Sequence, residues 1–291
     1  EGLDGSATVL SLVLDDAETD SMSEGREGLV ILDTTPFYAE SGGQVGDQGM
    51  LTWPEGAFEV SDVHFLAHKV IAHTGKVTLG TLSKGTNISA QVNADCRSAT
   101  AANHSATHLL HAALQEVLGT HVQQKGSLVD NEHLRFDFSH GEAMSGAEID
   151  EVERLVNRQV RINDNIGTRL MKPEDAQAEG AAALFGERYE DEVRVVAMGE
   201  FSLELCGGTH VQRTGDIGTF RIASESGIAA GVRRLEALTG EAAYQHGANE
   251  SAALSRLAAA LKTGRADLEE RATSLATRVR QLERKLEQLQ G

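Results

Sequence analysis

The sequence predicts an α+β protein of three regions in series: a small β-barrel-like domain, an α+β core with helices on an antiparallel sheet, and a C-terminal helical segment. Short alternating apolar runs fill residues 1–95, helix-forming and strand-forming runs share 96–240, and a heptad pattern dominates 241–291. With 291 residues, 40% of them hydrophobic, the chain is long enough to bury at least one sizeable core.

The first region is predicted to be β structure because its apolar residues alternate and glycines interrupt them. Its strand-like runs are "ATVLSLVLD", "GLVILDTTPFY", "AFEVSDVHFLAHKVIAHTG" and "NISAQVN". Residues 1–95 hold 15 acidic and 4 basic side chains, and the whole chain carries a net charge of −18. This excess of acidic residues argues against a protein that coats nucleic acid along its whole surface. A polyanion is therefore expected to approach the middle or the end of the chain.

The second region mixes helices and strands. Ser98 is a candidate N-cap and Gly119 a stop for a first helix, Ser145 and Glu148 have capping-box spacing for a second, and Pro173 suits the first turn of a short third. Strand-like runs are "HLRFDFS", "EVRVVAM", "FSLELC", "IGTFRIAS" and "VRRLEAL". Helices on one face of a mainly antiparallel sheet are the expected assembly.

The third region carries apolar residues at alternating spacings of four and three, which is a heptad seam. A break at Gly264 separates this seam from an earlier set at Leu254, Leu257 and Leu261. The pattern predicts a helical hairpin or a coiled coil that forms a homodimer, with a single helix packing on its own domain as the alternative. The seam consists of Leu268, Ala272, Leu275, Val279, Leu282, Leu286 and Leu289.

Composition also limits the setting in which the chain works. Two cysteines cannot form a disulfide framework, which indicates a reducing compartment such as the cytoplasm. No apolar run approaches the roughly 18 residues of a membrane helix, and no secretory signal precedes the first strand. Because the chain begins with Glu1 and stops inside the heptad pattern, a piece of a longer polypeptide is expected.

Two histidine-containing pairs point to a metal site. His104 and His108 are spaced i, i+4 on the first predicted helix, so both imidazoles reach one point in space. Cys206 and His210 flank a Gly-Gly turn in "LELCGGTHV", and together the four side chains suit tetrahedral Zn²⁺. His111 lies on the same helix face and is expected to be an outer-shell or solvated residue.

Two kinds of zinc hydrolase are excluded by what stands next to these histidines. A zincin needs a glutamate immediately after the first histidine, and Ser105 occupies that position. The H-x-E and P-C-x-x-C motifs of the zinc deaminases are absent as well.

A glycine-rich stretch, "TTPFYAESGGQVGDQG" (34–49), is the other unusual feature. It lacks the lysine of a phosphate-binding loop and the G-x-G-x-x-G of a dinucleotide site. Either its glycines are simply the turns of a barrel, or they hold Gln44 and a threonine on a backbone that approaches a ligand closely.

These segments, in this order, resemble the editing domain of alanyl-tRNA synthetases followed by the start of their C-terminal helical region. The resemblance rests on "TPFYAESGGQVGDQG", "HSATHLLHAAL", "KGSLVDNEHLRFDFSH", "ELCGGTHV" and "SESGIAAGVRRLEALTG", and it covers essentially the whole chain. The two metal-binding pairs alone are shared with the editing domain of threonyl-tRNA synthetases. The glycine-rich stretch and "GVRRLEALTG" narrow the match to the alanyl branch and its freestanding AlaX-type relatives.

The resemblance implies a zinc-dependent hydrolase that removes serine or glycine from mischarged tRNA(Ala) and spares alanyl-tRNA. It implies zinc ligation by His104, His108, Cys206 and His210. It also places Gln44 in the editing pocket and Thr35 against the serine hydroxyl, with Thr34 as the fallback. Zinc is expected to anchor the amino group or the terminal ribose hydroxyl while a nearby water attacks the ester.

Two alternatives stay open at this point. One is a freestanding AlaX-type protein that edits in trans, and the other is a zinc-stabilised tRNA-binding and dimerisation module without turnover. Candidate tRNA contacts are Lys125, Arg135, Arg233 and Arg234, each of which is equally explained as a strand-edge charge.

Overall fold

A computed structural model describes residues 2–180 and 192–290. Residues 181–191, which fall in the predicted core, and the predicted domain ends at Glu1 and Gly291 lie outside the described residues. The chain forms two compact units, and the boundary between them falls after Ala242. No helix in the described part of the chain has the length and apolar character needed to cross a membrane.

The N-terminal region is a closed antiparallel barrel, as predicted. Its strand order is β1, β4, β7, β6, β5 and β9, and β1 closes the barrel by pairing with β9. The short β2 extends β1, while β3 and β8 form a separate two-stranded sheet. The strands are β1 (Asp4–Leu14), β2 (Ala17–Thr19), β3 (Ser21–Ser23), β4 (Glu27–Leu32), β5 (Gly49–Trp53), β6 (Gly56–Phe65), β7 (Ile71–Leu79), β8 (Thr81–Ser83) and β9 (Asn87–Val92).

Side chains alternate between the two faces of these strands, and those on the inner face fill the barrel interior. Every second residue of β9 is buried, and the same period places Leu12, Val30, Phe58 and Val77 inside with no accessible surface. Burial of these side chains is the main force that closes the barrel, at about 1.5–3 kcal/mol each before the entropy of ordering is subtracted.

The following region is confirmed as α+β, but its strands form two sheets rather than one. A four-stranded antiparallel sheet has the order β10, β11, β16, β15, and a three-stranded sheet has the order β12, β13, β14. The sequence patterns missed β10 and β12. The elements are α1 (Ala94–Leu118), β10 (Gln124–Val129), β11 (Leu134–Ser139), α2 (Gly146–Ile162), β12 (Ile166–Met171), α3 (Pro173–Ala178), β13 (Val193–Met198), β14 (Ser202–Leu205), β15 (Phe220–Ala229) and β16 (Val232–Thr239).

The helix boundaries test the capping predictions. The prediction of Ser98 as N-cap is wrong: the N-cap of α1 is Asn93, five residues earlier, whose side chain accepts the backbone N–H of Cys96. Gly119 does end α1, with a φ of 113° that disfavours a side chain. The capping box of Ser145 and Glu148 and the proline at the start of α3 are confirmed.

Helix α1 is the central element of the core. It packs against α2, against β14 of the smaller sheet, and against β10, β11 and β16 of the larger one. Leu109, Leu110 and Leu114 are buried in the same apolar cluster as Phe136 and Phe138. Because α1 contacts both sheets, side chains on its β14-facing side are held rigidly at the boundary between them.

The glycine-rich stretch fastens the barrel to this core. Gly43 and Val45 exchange backbone hydrogen bonds with Val129 of β10 at 2.8 and 3.0 Å. Farther along, the Asp47 carboxylate accepts two hydrogen bonds from Arg97 of α1, and both side chains are nearly buried. Breaking such a buried pair typically costs about 3–5 kcal/mol, so the loop position is well defined.

The C-terminal unit contains α4 (Gly240–Ala260) from Ala243 onward and α5 (Leu268–Gln290). The helix break at the segment containing Gly264 is confirmed. No residue of α5 is buried, and Val279, Leu282, Leu286 and Leu289 of the heptad seam are more than half exposed. The coiled coil is therefore not confirmed, because nothing in the described residues covers this stripe.

Candidate metal centre

Four side chains from distant parts of the sequence meet at one point. His104 and His108 project from α1, while Cys206 and His210 lie on the turn that follows β14. Their potential ligand atoms all lie within 4.8 Å of one another. The structure therefore brings together the four residues that the sequence predicted as metal ligands.

The spacing of these atoms suits a tetrahedral ion. Cys206 Sγ lies 3.4 Å from His104 Nε2 and 3.3 Å from His210 Nε2. A tetrahedral zinc ion with ordinary Zn–N and Zn–S bonds would separate nitrogen and sulfur by about 3.5 Å. The third imidazole completes the group, since its ring centre lies 5.2 Å from that of His104 and 5.1 Å from that of His210.

Gln44 orients His104 through the other ring nitrogen. Its side-chain oxygen lies 2.7 Å from His104 Nδ1 and also accepts the backbone N–H of Thr209 at 2.8 Å. The Gln44 amide nitrogen donates to the Thr209 hydroxyl at 2.9 Å. Because an amide oxygen only accepts, His104 Nδ1 carries the hydrogen and Nε2 is left with its lone pair toward the centre.

Ser105 does the same for His210. Its hydroxyl donates to the Ala101 carbonyl at 2.8 Å and accepts the Val211 N–H at 3.2 Å. His210 Nδ1 lies 3.2 Å from the same oxygen. Since the serine hydrogen is committed to Ala101, His210 Nδ1 is the donor and its Nε2 faces the cysteine.

His108 has the strongest partner. Its Nδ1 lies 2.5 Å from Glu204 Oε2, and its Nε2, fully buried, has no hydrogen-bond partner among the described residues. Burying a polar nitrogen without a hydrogen-bond partner destabilises the fold unless an ion or another group binds that nitrogen. Three imidazole nitrogens and one cysteine sulfur that face one point are the donor set of a zinc site, so the residues fit the ion that the sequence predicts.

The electrostatics favour a thiolate at the centre. Burial alone would raise the pKa of the Cys206 thiol, but the neighbouring His104 and His108 imidazoles outweigh burial and hold that pKa well below its ordinary value. Burial, together with the neighbouring His104, lowers the pKa of His210 to about 3, so this imidazole is neutral. A thiolate and a neutral imidazole are the forms that bind metals.

Glu204 and His108 form a buried charged pair in the absence of a metal. Burial lowers the pKa of His108, but the Glu204 carboxylate and the Cys206 sulfur more than offset this and raise it. Burial raises the pKa of the Glu204 carboxyl, but the neighbouring His108 and His111 outweigh burial and lower that pKa to about 2. The carboxylate is therefore ionised and stabilises positive charge beside it.

The four ligands differ in access. Cys206, His104 and His108 are buried, whereas His210 is only half-buried. His210 also borders a cleft of about 490 Å³ between the start of α1 and the turn after β14, with Arg97, Ser98 and Thr209 among its lining residues. A molecule that reaches the centre through this cleft would arrive on the His210 side.

Thr35 occupies a different network from Gln44. The Val30 carbonyl lies 3.0 Å from His73 Nδ1, so this nitrogen carries the hydrogen, and Nε2 accepts the Thr35 hydroxyl at 2.8 Å. Thr35 Oγ1 also accepts the Phe37 N–H at 3.1 Å. Burial lowers the pKa of His73 and keeps the ring neutral. Thr34, the fallback residue, is exposed.

The basic side chains proposed as tRNA contacts mostly form ion pairs or hydrogen bonds with other residues of the chain. Arg233 makes two hydrogen bonds to Glu225, and Arg234 makes two to Asp137. Arg135 also lies 3.8 Å from Asp137, and Lys125 donates to Gln123. These partners lie on the neighbouring strands β15 and β11, so cross-strand ion pairing within the sheet accounts for the two adjacent arginines.

Sequence reasoning missed the parts played by Glu204 and Ser105. Glu204 precedes Cys206 by two residues, so the alternation of side chains along a strand turns both toward α1. The sequence signal for a buried polar role of Glu204 was a carboxylate within the apolar run "LELC". For Ser105 the sequence excluded a zincin but did not predict the contact with His210. His111, by contrast, contacts Glu204 and is buried, so the prediction of an outer-shell position holds and that of a solvated one does not.

The two glycines of the turn after β14 are not equivalent. A Cβ atom on Gly208 would lie 2.1 Å from His104 Cε1 and 2.8 Å from the Gln44 oxygen, whereas one on Gly207 would meet nothing within 4 Å. The Gly208 N–H also points at Cys206 Sγ at 3.4 Å. A residue without a side chain is therefore required at Gly208, because the turn approaches His104 closely.

Comparison with known proteins gives matches along the whole chain. Residues 1–96 match the family model of class II (A) tRNA synthetases, and residues 193–236 match the second additional domain of threonyl and alanyl tRNA synthetases. The second match spans Cys206 and His210.

Individual relatives are similar over nearly the full chain. Alanine–tRNA ligases of Methylococcus capsulatus and Hydrogenovibrio crunogenus are each 52% identical, over 97% and 98% of the chain. The alanine–tRNA ligase of Nitrosomonas eutropha is 50% identical over 98%. The chain spans 33% of the length of each of these curated relatives.

We expect Gly208→Ala to weaken zinc binding by at least about 10-fold, because the new methyl group displaces His104 or its Gln44 partner. Gly207→Ala is the matched control, since its methyl group points into open space. Competition with a chromophoric chelator measures both affinities. Equal zinc affinity in the two variants would contradict the close packing inferred for Gly208.

Proposed function

Since this chain belongs to the alanyl-tRNA synthetase family, we propose that it hydrolyses the ester bond of tRNA(Ala) mischarged with serine or glycine. The observation that carries the proposal is the buried His3Cys group, whose one half-exposed member borders a cleft. The similarity of residues 193–236 to the second additional domain of threonyl and alanyl tRNA synthetases supports it. The proposed setting is the cytoplasm, where both free cysteines stay reduced.

The need for such a reaction follows from the chemistry of small amino acids. Serine exceeds alanine by one hydroxyl, and an apolar pocket built for alanine rejects that addition only about 10²-fold. A second site that hydrogen-bonds the hydroxyl discriminates better, because alanine would leave a buried polar group unpaired at about 1–3 kcal/mol. Glycine would enter this second site because it is smaller than alanine.

Thr35 is the proposed contact for the serine hydroxyl, and its hydrogen bonds fix the polarity of that contact. Its hydrogen is committed to His73, and one lone pair accepts the Phe37 N–H. One acceptor lone pair remains, so the serine hydroxyl would act as donor. Alanine and glycine offer no such donor.

The reaction is ester hydrolysis by water. Because the ester is labile, the site chiefly needs to orient the carbonyl and a water and to stabilise negative charge on the carbonyl oxygen. Bound zinc would supply a Lewis acid, and it would coordinate the amino group or the terminal ribose hydroxyl only as a fifth ligand or in place of one of the four side chains. Gln44 serves as a positioning residue, since it fixes both His104 and the backbone at Thr209.

A second candidate is a tRNA-binding and dimerisation module without turnover. The exposed heptad seam of α5 favours it, because an apolar stripe on a helix suits a second helix. Release of serine from seryl-tRNA by sub-stoichiometric amounts of the chain decides between the two, since a binding module would release none.

We expect Cys206→Ala to abolish hydrolysis of seryl-tRNA(Ala), because it removes the sulfur ligand from the centre. Cys96→Ala is the matched control, since Cys96 is the only other cysteine and lies outside the metal group. Deacylation of radiolabelled seryl-tRNA measures both. Full activity in a zinc-depleted Cys206→Ala protein would rule out the metal-dependent mechanism.

We expect Thr35→Val to slow seryl-tRNA hydrolysis about 5- to 150-fold, the equivalent of one lost hydrogen bond of 1–3 kcal/mol. Hydrolysis of glycyl-tRNA should change less, because glycine makes no such bond. Thr34→Val controls for the loss of a neighbouring hydroxyl. A selective loss in Thr34→Val alone would move the role to Thr34.

A further inference from the structure

We propose that Glu204, His111 and Gln115 form a hydrogen-bonded relay that orients His108 and sets the zinc affinity of the centre. Glu204 contacts a ligand directly, whereas the other two act through it. The inference rests on the metal site of the proposed function, but its consequence is a binding affinity and not a rate.

The relay begins with a stripe along α1. His104, His108, His111 and Gln115 follow one another at spacings of four, three and four residues, which places them on one face of the helix. The first two belong to the metal group and the last two do not. The same face therefore continues for about two turns beyond the ligands with polar side chains, all buried or half-buried.

Each hydrogen in the relay has a defined position, starting at Gln115. Its amide nitrogen lies 3.0 Å from the Val122 carbonyl and 3.3 Å from His111 Nε2. The carbonyl requires a donor, which identifies this atom as the NH₂ group. With one hydrogen directed to each neighbour, His111 Nε2 must accept.

The remaining steps follow from that assignment. His111 Nδ1 carries the ring hydrogen and donates it to Glu204 Oε1 at 2.7 Å. The other carboxylate oxygen, Oε2, accepts from His108 Nδ1 at 2.5 Å. With Nδ1 held by Glu204, His108 would present Nε2 to a bound zinc ion, and this Nε2 is the buried atom without a partner. Gln115 thus influences a ligand atom through three hydrogen bonds.

Glu204 is suited to join two imidazoles because both of its oxygens accept. It is 4% exposed and receives one N–H at each oxygen. A glutamine of the same shape would present its NH₂ group to one imidazole N–H, which places two donors face to face. Partners of this kind beyond the ligands typically contribute 10–100-fold to metal affinity.

The test compares zinc affinities measured by competition with a chromophoric chelator. We expect Glu204→Gln to weaken zinc binding by about 10–100-fold, and Gln115→Glu, which replaces the donor by an acceptor, to weaken it by about 10-fold. Glu236→Gln and Gln123→Glu are matched controls, because Glu236 pairs with Ser224 and Gln123 with Lys125. Gln115 is only half-buried, which keeps the test available if Glu204→Gln fails to fold.

The outcomes separate the relay from a general structural role and from the proposed function. Loss of metal-free stability with unchanged zinc affinity in both variants would overturn the relay, as would equal weakening in the controls. Zinc binding that falls as expected in a chain that hydrolyses no aminoacyl-tRNA would support the relay and overturn the function.

Discussion

The structure depends on hydrogen bonds made at Nδ1 of three histidines. Gln44, Glu204 and Ser105 each hold one imidazole by this atom and so turn each Nε2 toward Cys206. These partners come from the barrel loop, from β14 and from α1 itself. The candidate metal centre is therefore a meeting point of three parts of the fold, and a shift of any one of them would move one of the four side chains.

This constraint explains features that otherwise look unrelated. The glycine-rich stretch brings Gln44 to the centre only because Gly43 and Val45 pair with Val129 and Asp47 is fixed to Arg97. A side chain on Gly43 would clash with Ser127 at 2.3 Å, so its glycine serves the approach of the barrel to the core. The glycines of this stretch make turns and also bring Gln44 to His104, while the close approach of Gln44 and a threonine to a ligand stays a prediction.

Local rules in the sequence predicted a good part of the fold and the site. The i, i+4 spacing of His104 and His108 predicted that both imidazoles meet at one point, and the Ser145–Glu148 box located α2, because both depend only on helix geometry. The N-cap was misplaced because Asn93 competes with Ser98 and only the end of β9 decides between them. The short β10 and β12 were missed because half-exposed, weakly apolar strands carry little periodic signal. Glu204 could not be assigned without knowing that β14 faces α1.

The identity of the bound ion and its ligands is the most direct measurement. X-ray absorption at the zinc edge of the purified chain should show three nitrogen ligands at about 2.0–2.1 Å and one sulfur at about 2.3 Å. Loss of the sulfur contribution in Cys206→Ala would assign it to that residue. A shell of nitrogen and oxygen alone in the parent protein would contradict the His3Cys centre and the orientation of its imidazoles.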